Sequence, residues 1–311
     1  MPVFHAYEKV ERLEKEECDG ILNGGCYIFE KIDGANAQIY LDTETREIAF
    51  GSRNRVLGVG ENLISGDSFR GFAGWVKENK DKLTRFFNLH PNFILNGEWL
   101  IKHSLQYSAT AYSRFYVFDI YDFANQRYIG IESHRSWQDL LNLEIDVIPF
   151  DGWINNPTTE NLKAFLELPS RYGASFREGI VIKNYDFCNK FGRQPYAKLL
   201  HETFKEVKSA PKPPPGEDAI ERAIQVQYVT AARVEKIRNK IADTQVERPG
   251  MKEIPKLINM VWYDIITEEM NDILKRLKDP TINFKLLKRL VFDRAKEYYI
   301  KSLQEGVQHE G

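Results

Sequence analysis

Apolar and polar positions alternate along the first two thirds of the chain and recur at helical spacing along the last third. The apolar run Cys26-Tyr27-Ile28-Phe29 ends at Glu30-Lys31, breaks at Asp33-Gly34, and resumes as Ala37-Gln38-Ile39-Tyr40-Leu41. A period of two predicts strands, so this stretch reads as strand, sharp break and strand, followed by a turn over Asp42 to Arg46 and a third strand over Glu47 to Phe50. Gly58 to Gly66 reads as a glycine-rich loop without the Gly-Lys-Ser/Thr ending of a P-loop. Asp67 to Asn88 carries a broken helical stripe (Phe69, Phe72, Val76, Leu83, Phe87), with Asp67 or Ser68 as its N-cap. Phe93 to Leu100 and Arg114 to Asp122 read as buried strands. Further strands are predicted at 145–150, 179–184 and 194–200, and short helices at 133–143 and 158–168.

The texture changes after Lys208. Four prolines fall within Pro211-Lys-Pro-Pro-Pro215, which excludes a helix interior or a central strand and predicts a stiff linker. Beyond it, Ile220, Ile224, Tyr228, Ala231, Val234, Ile237 and Ile241 recur at helical spacing. A second helical run carries Ile258, Trp262, Ile265, Met270, Ile273 and Leu277, and Asp279-Pro280 breaks it. A third runs from near Asn283 to about Leu303. The predicted organisation is a mixed domain over 1–208, a proline-rich linker over 209–217 and a small all-α domain over 218–311.

Composition narrows the setting. At 311 residues with 42% hydrophobic content, the chain reads as two soluble globular domains. No apolar run approaches the ~20 residues of a membrane span, and Met1 to Val10 shows no signal-peptide pattern. Three cysteines with no paired spacing and six scattered histidines argue against disulfides and zinc and for a cytoplasmic location. The net charge of −2 means that a polyanionic partner would be met by a local basic surface. Residues 275–301 supply one, with nine Lys or Arg against three Asp or Glu.

Several charged residues interrupt otherwise apolar strands: Glu98, Asp119, Glu178, Lys183 and Lys198. Charges are rarely buried singly, so their recurrence on separate strands predicts a shared polar cleft. Lys31-x-Asp33-Gly34, Ser52-Arg53, Gly97-Glu98, Phe118-Asp119, Glu178-Gly179 and Lys198 follow one another in the order and spacing of the covalent nucleotidyltransferases, the superfamily of ATP-dependent DNA and RNA ligases and messenger-RNA capping enzymes. The chain resembles that superfamily over residues 30–198.

The resemblance implies an α+β fold: an ATP-grasp-like ligase domain of antiparallel sheets with flanking helices, followed here by the all-α domain. It also implies chemistry. Lys31 would attack the α-phosphorus of ATP and expel pyrophosphate, leaving lysyl-AMP. A free lysine has a pKa of ~10.4, so it needs desolvation or neighbouring cations to become a nucleophile. Glu178 would help hold Mg2+ or Mn2+ through its water shell. Lys183 and Lys198 would neutralise the α-phosphate, Arg53 and Glu98 would contact the ribose region, and Phe118 would stack on adenine. Glu30, Ile32 and Asn36 complete the expected nucleotide-binding set.

Asn36, with Glu30 before the lysine, and the helical tail in place of an OB barrel resemble the nick-sealing RNA ligases of the T-even phage type, the RNA ligase 2 family. That family commonly has lysine where Tyr196 stands, and in this chain Lys190 or Arg193 is the candidate to substitute for it. The expectation is an ATP-dependent RNA ligase joining 3′-hydroxyl and 5′-phosphate ends, with nicked duplex RNA or an RNA-containing hybrid as partner and no membrane association. A DNA nick-sealing ligase and a catalytically inactive nucleic-acid-binding protein of the same fold are the competing readings.

Overall fold

A computed structural model describes residues 3–63, 69–132, 134–201, 218–242, 250–278 and 280–308. The chain divides into two compact units, residues 1–202 and 203–311. In the first, β1 (Glu11–Arg12), β2 (Gly25–Lys31), β3 (Ala35–Leu41), β4 (Ile48–Ser52), β5 (Arg55–Val59) and β6 (Asn62–Leu63) precede α1 (Phe72–Glu78) and α2 (Lys80–Leu89). Then come β7 (Phe93–Leu100), β8 (Arg114–Asp122), β9 (Arg127–Tyr128), α3 (Ser136–Asn142), β10 (Phe150–Asn155), α4 (Thr159–Leu166), β11 (Gly179–Lys183) and β12 (Ala197–Leu200).

The strands form two sheets. One is five-stranded in the order β1-β12-β11-β2-β10, and the other seven-stranded in the order β6-β5-β4-β3-β7-β8-β9. All pairings are antiparallel except β1 with β12. Alternation assigns the faces. On β3, Ala35, Ala37, Ile39 and Leu41 enter a core with Phe72, Phe86 and Phe87 of α1 and α2 and Trp137 of α3. On β2, Cys26 and Ile28 pack with Ile180, Ile182 and Ala197 against Leu162 and Leu166 of α4. The opposite faces of β2 and β3 carry Phe29 and Lys31, and Asn36 and Gln38. An aromatic cluster containing Tyr7, Tyr40, Tyr121, Tyr128 and Tyr196 joins residues of both sheets.

Several expectations shift. The helix expected over 67–88 is two helices, divided at Asn79, whose side-chain amide donates to the Trp75 carbonyl (2.9 Å). Asp67 and Ser68 lie outside the described residues, and α1 begins after Gly71, which has a φ of 94°. The strand expected at 145–150 is a single bridge, Val117 to Val147, and β10 begins only at Phe150. Pro149 lacks the N–H that would extend the ladder backwards. The glycine-rich stretch from Gly58 opens inside β5 rather than in a loop. Thr158 caps α4 through reciprocal hydrogen bonds with Asn161, as its sequence position predicts.

The second unit contains α5 (Ala219–Tyr228), α6 (Ala231–Ala242), α7 (Ile254–Leu277) and α8 (Phe284–Gln308). The apolar run from Ile220 to Ile241 is thus two helices, separated at Val229-Thr230. Ile224, Val234, Ile237, Val261, Ile265, Leu287 and Val291 share one core. Arg233 is fully buried within this unit and donates to Asp264 (2.7 Å) and Glu269 (2.6 Å), tying α6 to α7. The proline-rich segment 209–217 lies outside the described residues.

Candidate active site

Lys31 is the last residue of β2. Its Nζ donates to Glu178 Oε2 at 2.6 Å, and Glu178 immediately precedes β11. Both side chains are partly buried, 26% and 15% exposed. The chain then breaks at Asp33-Gly34 before entering β3, and that break is held from several directions. Asp33 Oδ2 accepts from the Ser104 and Leu105 amides (2.8 and 3.0 Å), and His103 Nδ1 lies 3.5 Å from Asp33 Oδ1. The Asp33 amide donates to the Tyr107 hydroxyl (2.7 Å). The Gly34 amide donates to Glu98 Oε1 (2.9 Å). A Cβ at position 34 would come within 2.7 Å of the Trp99 carbonyl and 2.9 Å of Glu98 Cγ, so this close approach requires glycine. Gly179 is needed for the same reason, since a Cβ there would stand 2.4 Å from the Leu199 carbonyl.

Three carboxylates therefore surround one ammonium. Burial works to lower the Lys31 pKa, but Glu178, Glu98 and Asp33 outweigh it and hold the ammonium above its ordinary range. Burial first, with Glu178 adding to it and Lys31 opposing, pushes the Glu98 carboxyl up to about 7. Because this pKa is raised on folding, the folded protein keeps a proton that the unfolded chain releases between pH 4.5 and about 7. Stability from this group falls as pH rises through that window and is constant above it. In the presence of a chelator, Glu98→Gln is expected to gain melting temperature relative to the unsubstituted protein at pH 8 and not at pH 4.5. The full shift corresponds to at most about 3 kcal/mol. An equal effect at both pH values would refute the raised pKa.

The remaining expected site residues fall into three places. Asn36 pairs in register with Glu98. The buried side-chain oxygens of Asn36, Gln38 and Asn96 have no hydrogen-bond partner among the described residues. Lys198 faces Val181 in register on β12, and its charge acts on Glu178. Ile32 is buried.

Phe118 is the extra residue of a β-bulge, since Asn96 pairs with Asp119 but Gly97 with Val117. Bulges re-aim side chains beside functional sites. The Phe118 ring stands 5.0 Å from that of Tyr7, whose carbonyl accepts from Arg53 Nε (3.0 Å). Lys183 is 2% exposed. It donates to the Phe118 carbonyl (2.5 Å), pairs with Asp119 (2.8 Å) and sits 5.0 Å from the centre of the Tyr196 ring. Burial pulls its pKa below the ordinary value against the attraction of Asp119. Tyr196 thus lies beside a lysine ammonium, while Lys190 is engaged with Glu16 at the surface.

Glu30 points away from Lys31, as consecutive strand residues do. It accepts from the Ser170 hydroxyl (2.6 Å) and the Arg171 amide (2.9 Å), 3.8 Å from Arg177. Arg177, Asp151, Ser170 and Tyr107 escaped the sequence reading. Only the position of Arg177 directly before Glu178 offered a signal.

A lysine at the end of an inner strand, paired with the carboxylate that precedes the next strand of the sheet, is the arrangement of a nucleotidyltransferase-type site. Residues 25–200 match the family described as RNA ligase, and the chain belongs to that family. Solved structures that share the fold include two of one enzyme. A mutant of the Naegleria gruberi RNA ligase with AMP and Mn is 21% identical, with a TM-score of 0.50. The Naegleria gruberi RNA ligase with PPi is 23% identical, also with a TM-score of 0.50. Each alignment covers 66% of this chain and 58% of that one, so the chain spans less than two thirds of either relative's length. No curated protein matches the chain.

Proposed function

We propose that the protein is an ATP-dependent RNA ligase that seals 3′-hydroxyl and 5′-phosphate ends, nicks in duplex RNA or RNA-containing hybrids foremost, through lysyl-AMP and RNA-adenylate. The observation that carries this reading is the Lys31 Nζ at the end of β2, 2.6 Å from Glu178. In the first step the Nζ lone pair forms a bond to the α-phosphorus, the bond to pyrophosphate breaks, and Lys31 gives up a proton. The Asp33 and Gly34 contacts fix the backbone from which Lys31 projects, so the amine is oriented before substrate arrives. Lys198 stands on β12, beside the strand that Glu178 precedes, where its charge would offset negative charge building on a phosphate.

The local charge fits a divalent cation. Three carboxylates surround Lys31, Glu98 is pushed up to about 7 chiefly by burial, with Glu178 adding to it, and the donors are all oxygens. Oxygen donors of this kind suit Mg2+ or Mn2+ retaining its waters. Glu178 would hold the ion, whose positive charge would offset the carboxylates around Lys31 and favour its neutral amine.

In the second unit, Lys275, Lys278, Lys285, Arg289, Lys296 and Lys301 are exposed. Arg276, also exposed, bonds to the Tyr228 hydroxyl (3.3 Å), and the half-buried Arg294 to the Val229 carbonyl (3.1 Å). The exposed set supports a phosphate-gripping role for a helical domain that begins after the proline-rich linker at 209–217. Free Cys18, Cys26 and Cys188, and the absence among the described residues of a helix long and apolar enough to cross a membrane, accord with a cytoplasmic enzyme.

Incubation with α-labelled ATP and Mg2+ is expected to label the protein covalently. Matched nicked duplexes of RNA, DNA and mixed strands should then be sealed with preference for RNA at the nick. Equal sealing of an all-DNA nick would sink the RNA assignment, and absence of a protein-AMP adduct would sink the enzyme.

A further inference from the structure

We propose that Arg177 is a positioning residue for the Lys31–Glu178 pair, acting through a buried charge network that it shares with Glu30 and Asp151. The inference rests on the reading of Lys31 as the nucleophile and adds what holds it in place. Two ion pairs stand back to back. In the cleft, Lys31 meets Glu178 at 2.6 Å. Behind it, the immediately preceding residues meet, with Glu30 3.8 Å from Arg177.

The rear pair is the more deeply buried. The Arg177 side chain is 2% exposed, and those of Glu30 and Asp151 are 1% each. Arg177 Nη1 donates to Asp151 Oδ2 on β10. Its Nε and Nη2 donate to the Pro169 carbonyl at 3.2 and 3.0 Å. Asp151 Oδ1 also accepts from Arg171 Nε at 2.7 Å. Glu30 closes the ring by accepting from the Ser170 hydroxyl and the Arg171 amide.

The guanidinium therefore ties the loop at Pro169, strand β10 and strand β2 to one point. The next residue in the chain is Glu178. Its own backbone carbonyl accepts from the His201 amide (2.9 Å), so the segment carrying Glu178 is pinned on both sides. A planar fork with several donors suits this junction, and a lysine ammonium could not serve Asp151 and Pro169 in the same geometry. Removing the fork would leave Glu30 and Asp151 buried with only the half-exposed Arg171 to offset them. The segment would then relax, and the Glu178 carboxylate would leave its place against Lys31.

The test compares Arg177→Ala, Arg177→Lys and Glu30→Gln with the unsubstituted protein in single-turnover labelling by α-labelled ATP, together with crystal structures of the variants. Arg177→Ala is expected to slow lysine adenylation at least about tenfold with little change in the ATP concentration giving half-maximal rate. Added guanidinium is expected to restore part of the rate by filling the vacated site. In the crystal structure Lys31 and Glu178 are expected to separate beyond hydrogen-bonding distance. A folded Arg177→Ala protein that labels at the original rate, or that keeps the 2.6 Å contact, would overturn the proposal. So would a slow variant that guanidinium does not rescue.

If Arg177→Ala does not fold, Arg177→Lys and Glu30→Gln decide the matter. Slowed adenylation with a displaced Glu178 supports the proposal, and an unchanged rate or an undisplaced Glu178 refutes it. Failure of the unsubstituted protein to label would instead count against the proposed function, and the crystallographic comparison would still test the positioning role.

Discussion

Lys31→Ala is expected to reduce covalent labelling by α-labelled ATP by more than about a thousandfold, because the proposed reaction loses its nucleophile. Lys31→Arg should do no better, since a guanidinium stays protonated and cannot offer a lone pair. The fold should tolerate the alanine substitution, as Lys31 is 26% exposed and ends its strand. It also removes the partner of Glu178, which lies among Glu98 and Asp33. The alanine variant should therefore be more stable at acid than at neutral pH relative to the unsubstituted protein. Mass spectrometry of the digested adduct gives the decisive measurement. AMP on any residue other than Lys31, or persistent labelling of the alanine variant, would disprove the assignment.

The largest expected loss of stability comes from Lys183→Met. Lys183 and Asp119 are 2% and 0% exposed, and Asp119 also accepts from the Tyr7 hydroxyl (2.7 Å). Methionine preserves most of the volume but strands the carboxylate in an aromatic surround. Breaking one side of a buried ion pair costs about 3–5 kcal/mol, which for a unit of this size lowers the melting temperature by roughly 10 °C or more. Lys183→Met combined with Asp119→Leu should recover much of the loss, because no buried charge then lacks a partner. Labelling need not return with stability. The Lys183 ammonium bonds the Phe118 carbonyl, so the double variant releases the bulge that presents the aromatic ring. Calorimetry separates the two effects from the labelling rate, and a double variant no more stable than Lys183→Met would contradict the stranded-charge explanation.

The parts of the site that stood out in the sequence are those where a charge interrupts an apolar strand. Lys31, Glu98 and Glu178 were visible for that reason, and the strands bearing them were readable by their period. Arg177 gave no such contrast. It lies in a polar loop, Ser175-Phe176-Arg177, and an arginine in a loop is ordinarily solvated. Its burial follows from Asp151 on a strand that the pattern placed several residues too early. Asp33 was legible as part of a motif but not as an anchor, because its partners at 103–107 come from a segment without periodicity. The bulge at Phe118 was invisible because a bulge is a property of two strands in register, not of either alone. In the second unit the helical period was plain, yet it ran through the break at Val229-Thr230, since both helices bury the same stripe on either side of it.

The opposed signs at positions 30 and 31, matched by opposed signs at 177 and 178, also bear on how the chain finds its pairing. In the native pairing Lys31 stands opposite Gly179 and Glu30 opposite Ile180. A slip of one residue turns apolar strand residues out of their cores, but a slip of two keeps every side chain on its own face. In one direction that two-residue slip would set Glu30 opposite Glu178 and Lys31 opposite Arg177 at once, and like charges opposite each other destabilise a pairing. Partly folded chains that zip β2 and β11 in the wrong register should therefore release and try again instead of maturing. The same four side chains proposed to align a nucleophile in the finished protein would act as a proofreading step while it forms.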